Sequence, residues 1–154
     1  MDRLDEMESE GVVFTGDPKF CFELDPRDQL GTTARIGWEA VLALRDCIRA
    51  REDDGWQGSV HDYLKRTPDG YRTVSIKKHV PGESATTMQQ WGHERRFPVP
   101  KHVSPSEQIE MRAHFRLGQI GMVSPRMYYL DRWSQDGKIY IGYIGRHLTN
   151  TKTN

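Results

Sequence analysis

Apolar residues recur at three- and four-residue spacing in the stretch after residue 31, which is the pattern of one buried face of an α-helix. The stripe consists of Ile36, Ala40, Ala43, Leu44, Cys47 and Ile48. Thr32 or Thr33 can cap the start of this helix, and the pattern continues to about Arg51. We therefore predict one long helix whose apolar face packs against the rest of the domain.

A shorter helix is predicted to follow it. Ser59 precedes Asp62 by three residues, a spacing that resembles a capping box, and the pattern continues through Lys65. Residues 67–70 then read Thr-Pro-Asp-Gly. Because proline presets φ and glycine tolerates a positive φ, we expect a turn at this point.

Beyond this turn the apolar residues recur at every second position, as they do in β-strands. Residues 71–80 form a candidate strand, and the segment from Glu107 to Leu117 has the clearest alternation in the chain. One side of that segment carries Ile109, Met111, Ala113, Phe115 and Leu117. The other side carries Glu110, Arg112, His114 and Arg116. We expect a strand with a buried apolar face and a charged outward face.

Two further strands are predicted near the C-terminus, from Arg126 to Trp133 and from Lys138 to Ile144. The residues between them end in Asp-Gly, which is typical of a β-hairpin. Residues 83–96 permit no assignment. The order of elements predicts an α+β fold with two N-terminal helices packed on an antiparallel sheet of about four strands.

The first 30 residues contain turn formers and no sustained period. We interpret residues 1–30 as a partly irregular N-terminal arm, and residues 31–154 as a single α+β domain. Within the arm, residues 12–14 and 20–24 are candidate short strands or segments laid on the domain. Residues 2–10 are expected to fray, as chain termini often do.

The net charge of zero conceals a division between the two halves of the chain. Residues 1–70 contain 16 Asp and Glu against 9 Lys and Arg, whereas residues 71–154 contain 6 against 13. Five of the six histidines also lie in the second half. Either the two halves attract each other in the fold, or the basic half offers a surface to an anionic ligand such as a nucleotide or nucleic acid.

The sequence contains neither a targeting signal nor a recognisable metal motif. The acidic N-terminus lacks the apolar region of a signal peptide, and no stretch approaches the roughly 20 apolar residues that cross a bilayer. We therefore expect a cytoplasmic protein without a membrane partner. Cys21 and Cys47 match no zinc spacing, and no HxH or HExxH is present. We expect no metal and no cofactor, while a site assembled from residues distant in sequence stays open.

Candidate chemistry concentrates on the charged side of residues 107–117. That side is either a solvated sheet face with ion pairs or the wall of a cleft. In a cleft, arginines would bind phosphate oxygens and a histidine would transfer protons. The neighbouring hairpin adds another arginine and tyrosine rings, and the chain continues past Gly145 with further basic residues. The predicted ligand-binding residues are Arg112, Arg116, Arg126, Tyr128, Tyr140 and Arg146.

Three functional hypotheses follow from this pattern. The first is a hydrolase that cleaves phosphodiesters without a metal, with His114 and His147 as general base and general acid and the arginines holding the phosphate. The second is a non-catalytic module that binds nucleic acid, a nucleotide or an acidic protein partner through a basic, tyrosine-rich sheet. The third is an interaction protein whose basic half docks its own acidic arm or another subunit. The first hypothesis requires both histidines to face one cleft.

Overall fold

Helices dominate the N-terminal half of the chain in the computed structural model, which describes residues 2–28 and 31–151. The α-helices are α1 (Asp2–Glu6), α2 (Pro18–Phe22), α3 (Thr32–Asp54), α4 (Val60–Lys65), α5 (Ala85–Trp91) and α6 (Trp133–Asp136). Short 3₁₀ helices cover Met7–Glu10, Ile76–Lys78 and Gly92–Arg95. Among the described residues, no helix has the length and apolar character needed to cross a membrane.

Two sheets are present in the described part of the chain. The strands are β1 (Val12–Phe14), β2 (His79–Val80), β3 (Arg96–Pro98), β4 (Gln108–Glu110), β5 (His114–Arg116), β6 (Arg126–Arg132) and β7 (Lys138–Gly145). The main sheet has the order β1-β7-β6-β5-β2, and β3 pairs with β4 in a small separate sheet. β1 runs parallel to β7 and the other pairs are antiparallel. The fold is therefore α+β with a mixed five-stranded main sheet.

The long helix α3 covers one face of the main sheet. Leu44 and Cys47 from its apolar stripe have no solvent exposure and belong to one core cluster with Phe115, Met127 and Ile141 of the sheet. Complete burial of a side chain of leucine size stabilises the fold by about 1.5–3 kcal/mol. This packing covers much of one face of the sheet, although a cavity of about 240 Å³ remains there between α3 and residues such as Leu117 and Met127.

The opposite face of the main sheet is partly covered by the small β3–β4 sheet. Phe97 and Met111 pack there in a second cluster with Tyr128 and Tyr143. Gly142 on β7 makes this close approach possible, because a Cβ at its position would lie 2.6 Å from both Phe97 Cβ and Met111 Sδ. The absence of a side chain at Gly142 therefore serves core packing.

Local signals in the sequence placed several elements correctly. The first predicted helix is α3, Thr32–Asp54; its N-cap is Gly31 and not the predicted threonine, and it continues past the predicted end at Arg51. At α4, Ser59 Oγ accepts a hydrogen bond from Asp62 N and Asp62 Oδ2 accepts one from Ser59 N, each at 3.1 Å. This completes the predicted capping box. The predicted C-terminal hairpin is β6 and β7, joined by the one-turn helix α6 and by Gly137 with φ of 78°.

The predicted strand from Glu107 to Leu117 is wrong as a single element. β4 pairs with β3, whereas β5 lies between β6 and β2 in the main sheet. Met111 therefore packs in the second cluster, while Phe115 packs under α3. His114 was expected on an outward face, but it is only 5% exposed. A period of two separates core from solvent only while a strand stays in one sheet, and this chain changes sheets between β4 and β5.

Other parts of the predicted layout also differ from the structure. Residues 71–80 form a strand only at β2, because the 3₁₀ helix Ile76–Lys78 precedes it. Residues 83–96, which permitted no assignment, contain α5, a 3₁₀ helix and the start of β3. The described chain has six α-helices rather than two, and its main sheet is mixed because β1 is parallel. Residues 18–22 form α2 in place of a strand, and most of residues 2–10 are helical.

Candidate functional site

Two histidines and two arginines of the predicted set line one cleft of about 540 Å³. The segment that leads into α5 contributes a carboxylate and a serine to the same wall. We call this the basic cleft and define it by Glu83, Ser84, His114, Arg116, Arg126 and His147. Its size falls within the range of about 300–1,000 Å³ that is usual for small-ligand sites.

Antiparallel strand pairing brings these side chains together. Arg116 on β5 lies directly opposite Arg126 on β6, and Arg126 in turn lies opposite Gly145 at the end of β7. His114 precedes Arg116 by two residues and shares its side of the strand. His147 follows Gly145 by two residues. Residues from three separate stretches of sequence thus meet because β5, β6 and β7 are neighbours.

Arg116 and Arg126 carry positive charge that no carboxylate neutralises by an ion pair within the described residues. Backbone carbonyls hold the two guanidinium groups instead. Arg116 Nη1 donates to Lys77 O at 3.2 Å, and Arg126 Nη1 donates to Pro125 O at 3.0 Å. Burial and the charge of Arg116 lower the pKa of Arg126. Like charges directly opposite each other in a sheet are destabilising, so an anion bound between them would relieve that repulsion.

His114 is held as a neutral imidazole of defined tautomer. Its Nδ1 donates to Arg112 O at 2.9 Å, and its ring stacks on Tyr128 with 4.5 Å between the centroids. Burial lowers the pKa of His114, which favours the uncharged ring. Because Nδ1 carries the proton, Nε2 carries the lone pair. A lone pair at Nε2 can accept a proton or a hydrogen bond from a ligand.

Glu83 lies beside His114 at the centre of a buried ionic group that sequence patterns did not reveal. Glu83 Oε1 is 3.8 Å from His114 Nδ1, and Glu83 Oε2 accepts hydrogen bonds from Arg95 Nε at 2.6 Å and from Tyr128 OH at 3.1 Å. Arg95 is completely buried, and its Nη2 has no hydrogen-bond partner among the described residues. The segment 83–96 has no period, so the scarcity of carboxylates in the second half is the only sequence signal for Glu83.

His147 is oriented by the chain that follows β7. Its Nδ1 donates to Leu148 O at 2.5 Å, and its Nε2 accepts from Asn150 Nδ2 at 3.4 Å. Burial, and after it the charge of Arg126, lowers the pKa of His147. Both histidines of the basic cleft are therefore protonated at Nδ1, carry a lone pair at Nε2 and resist a second proton while the cleft is empty.

The remaining predicted ligand-binding residues lie elsewhere or beneath the surface. Arg112 pairs with Glu110 at 3.1 Å and lines a different cleft. Tyr128 and Tyr140 are 2% and 1% exposed, so neither presents a ring face for base stacking. Tyr128 supports His114 from below. Arg146 is exposed, and the structure does not place it on the wall of the basic cleft.

The acidic N-terminal residues do not neutralise the basic cleft. Glu10 forms ion pairs with Arg45 at 3.6 Å and with Arg49 at 3.4 Å, both on α3. Among the described residues that line the cleft, one has a carboxylate side chain. This residue is Glu83, which already forms an ion pair with Arg95. The charge division seen along the sequence therefore persists as a surface with uncompensated positive charge.

A second histidine-bearing cleft, of about 370 Å³, lies beyond β2. His61 of α4 and His79 of β2 approach there with 2.9 Å between their Nδ1 atoms. His79 Nε2 is 2.7 Å from the hydroxyl of Tyr129. Burial lowers the pKa of His79 to about 4. We call these two side chains the histidine pair, and neither belongs to the set predicted from sequence.

Known proteins provide no template for either cleft. No family model matches the chain, and no curated protein or solved structure is significantly similar to it. Within residues 2–28 and 31–151, no group of three or more His, Cys, Asp or Glu side chains is arranged to hold a metal ion. The function has to be argued from the chemistry of the clefts themselves.

Proposed function

We propose that this protein hydrolyses phosphate esters of a nucleotide or nucleic acid in the basic cleft. The observation that carries the proposal is the convergence of two un-neutralised arginines with two neutral histidines on one cleft wall. Guanidinium groups bind phosphate oxygens in a forked geometry, and neutral imidazoles accept protons at pH 7. Few combinations of side chains serve phosphoryl transfer better without a metal ion.

Binding of the phosphate group is the first step of the proposed mechanism. Arg116 and Arg126 would share the non-bridging oxygens, since they face each other across β5 and β6. The negative charge offsets the mutual repulsion of the arginines. It also raises the proton affinity of both histidines, because the arginine charges contribute to the low pKa of each. Substrate binding thereby adjusts the histidines for proton transfer near neutral pH.

Proton transfer at the two Nε2 atoms is the second step. His114 Nε2 takes the proton of the attacking hydroxyl or water, and Glu83 beside Nδ1 stabilises the imidazolium that forms. His147, protonated once the phosphate is bound, donates a proton to the leaving oxygen. Arg116 and Arg126 stabilise the charge that develops on the phosphoryl oxygens. After the step His114 is protonated and His147 is neutral, the reverse of their states before it.

The proposal is tested with quenched-fluorescence RNA and DNA oligonucleotides and a chromogenic phosphodiester, in the presence of a chelator. Loss of either proton-transfer group should reduce turnover about 100-fold or more. His114→Ala and His147→Ala are the test variants. His93→Ala is the matched control, because His93 is exposed and outside the cleft. Wild-type protein without turnover on any of these substrates, or loss of turnover in His93→Ala alone, would contradict the proposal.

A non-catalytic anion-binding module is the second candidate. The burial of His114 favours it, because a side chain that is 5% exposed offers limited access to a substrate. In that case the arginines bind a nucleotide or nucleic acid, and the histidines support the cleft. Binding would then weaken linearly in a log–log plot against salt concentration. His114→Ala and His147→Ala would keep affinity, and no substrate would be turned over.

A further inference from the structure

We propose that the histidine pair, His61 and His79, binds one divalent transition-metal ion through the Nδ1 atoms of both rings. The site lies in the second cleft, away from the arginines of the basic cleft. It does not depend on the proposed hydrolase activity.

The Nδ1 atoms of the two rings point at each other, with 5.2 Å between the ring centroids. They are 2.9 Å apart, and the ring planes are inclined by 33°. Two nitrogen ligands of a tetrahedral ion at about 2.0–2.1 Å are separated by about 3.3 Å. To bind an ion, the nitrogens need to separate by about 0.4 Å, and both rings need to turn so that their lone pairs meet at the ion instead of at each other.

Only one proton fits between the two nitrogens at this distance, so at least one ring already presents a lone pair. If His79 holds the proton, a shift to its Nε2 exposes the second lone pair. Tyr129 Oη lies 2.7 Å from that Nε2 and can accept the resulting N–H hydrogen bond. Histidine ligands typically donate their second ring N–H to such an acceptor. In this arrangement the Nδ1 lone pairs of both rings are available to the ion.

Two rigid elements hold the pair in place. His61 is in the first turn of α4, which the Ser59–Asp62 capping box stabilises. His79 starts β2, is 5% exposed and packs edge-on against Phe115 with 4.9 Å between centroids. The two rings are therefore held next to each other before an ion arrives. Preorganisation of this kind is what distinguishes a metal site from two surface histidines.

Solvent or a small ligand would complete the coordination. The two carboxylates on the cleft wall are occupied, since Glu110 pairs with Arg112 at 3.1 Å and Asp131 with Arg51 at 2.7 Å. An ion held by two imidazoles thus keeps open positions facing the cleft. Open positions are the property of catalytic rather than structural metal sites. Among divalent ions, Cu²⁺ should bind most tightly to such nitrogen ligands.

The test is titration of chelator-treated protein with Cu²⁺, followed by electron paramagnetic resonance. We expect one ion per chain with nitrogen hyperfine coupling from two imidazoles. His61→Ala should weaken binding about tenfold or more, and Tyr129→Phe by a smaller factor. His93→Ala, at an exposed site, should bind as the wild type does. Circular dichroism establishes that each variant is folded.

Equal affinities of the wild type and His61→Ala would overturn the proposal. So would a wild-type spectrum without coupling to two imidazole nitrogens, which is measured without any substitution. Either result would leave the histidine pair as an N–H···N hydrogen bond that joins α4 to β2. The assignment would also be refuted if His114→Ala abolished Cu²⁺ binding while His61→Ala did not, because the ion would then bind in the basic cleft.

Discussion

The basic cleft and the cleft of the histidine pair contain similar side chains but compensate their charges differently. In the basic cleft, Arg116 and Arg126 have no carboxylate partner, and backbone carbonyls fix the Nδ1 protons of the histidines. In the other cleft, Arg112 is neutralised by Glu110, and the two imidazoles face each other. The first environment favours an anion and the second a cation. The two clefts therefore differ in the charge of the ligand they favour because their arginines are compensated differently, and less because they contain different types of residue.

The strand β2 separates the two clefts, because two consecutive residues of this strand line different clefts. His79 lines the cleft of the histidine pair, whereas Val80 lines the basic cleft. In the ladder with β5, Val80 lies opposite His114 and His79 lies opposite Phe115. Successive side chains of a strand point to opposite faces. Alternation along β2 thus assigns neighbouring residues to sites of opposite charge preference.

The largest expected difference between the clefts is in stability. Glu83→Ala leaves the completely buried Arg95 without its partner and should lower the free energy of unfolding by about 3–5 kcal/mol. Glu110→Ala removes a carboxylate that is 40% exposed in the other cleft. Its cost should not exceed about 1 kcal/mol. Urea unfolding monitored by tryptophan fluorescence measures both, and similar losses would show that the Glu83–Arg95 pair is not specially important.

Anion affinity should distinguish the arginines of the two clefts. Arg126→Gln removes a charged donor worth about 1.5–3 kcal/mol, which corresponds to roughly a 10- to 100-fold loss of affinity. Arg112→Gln should leave affinity nearly unchanged, because Glu110 already occupies that guanidinium. Isothermal titration with pyrophosphate or a nucleoside monophosphate provides the comparison. Equal losses in the two variants would argue for general surface attraction instead of a defined site.

The same Arg126→Gln variant should not destabilise the empty protein. The substitution removes the repulsion between Arg116 and Arg126 across the sheet, so the free energy of unfolding should stay constant or rise slightly. A loss of affinity without a loss of stability is the signature of a binding residue. A clear loss of stability would instead assign Arg126 a structural role through its contacts with Ser124 and Pro125.

The last expected effect is a dependence of stability and of anion affinity on pH. In the empty protein the pKa of His114 and of His147 is lowered, so the unfolded chain binds more protons than the folded one at mildly acidic pH. Stability should therefore be complete above about pH 6.5 and fall as the pH drops below that value. A bound phosphate favours the protonated histidines. Its affinity should therefore rise as the pH falls over the same range, by up to about tenfold per pH unit for each proton that is taken up on binding.

This dependence is measured by repeating the anion titration and the urea unfolding between pH 5.5 and 8. His147→Ala should make both curves less steep, since one contributing histidine is gone, while His114 and His79 still make stability fall at acidic pH. His93→Ala, at an exposed position outside the basic cleft, is the control variant for both measurements. Affinity that is independent of pH would mean that the histidines do not sense the anion.

The elements that could be predicted from the sequence are those specified by residues close together along the chain. The apolar stripe predicted α3 but not its N-cap, which is Gly31 and not a threonine; the capping box predicted α4, and the Asp-Gly turn predicted the β6–β7 hairpin. Each of these signals involves residues within a few positions of each other. The break between β4 and β5 had no such signal, because the alternation continues unbroken through residues 107–117 although the partner strand changes.

The histidines and arginines of the proposed phosphate chemistry, and the half of the chain that carries them, are properties of the sequence alone. Tertiary structure decided which of them meet. It placed His114, His147, Arg116 and Arg126 on one cleft, moved Arg112 to another and buried Tyr128 and Tyr140. It also supplied Glu83, Arg95 and the histidine pair. The physical reason is that periodicity reports the burial of neighbouring residues, whereas a site depends on contacts between strands and helices that are far apart along the chain.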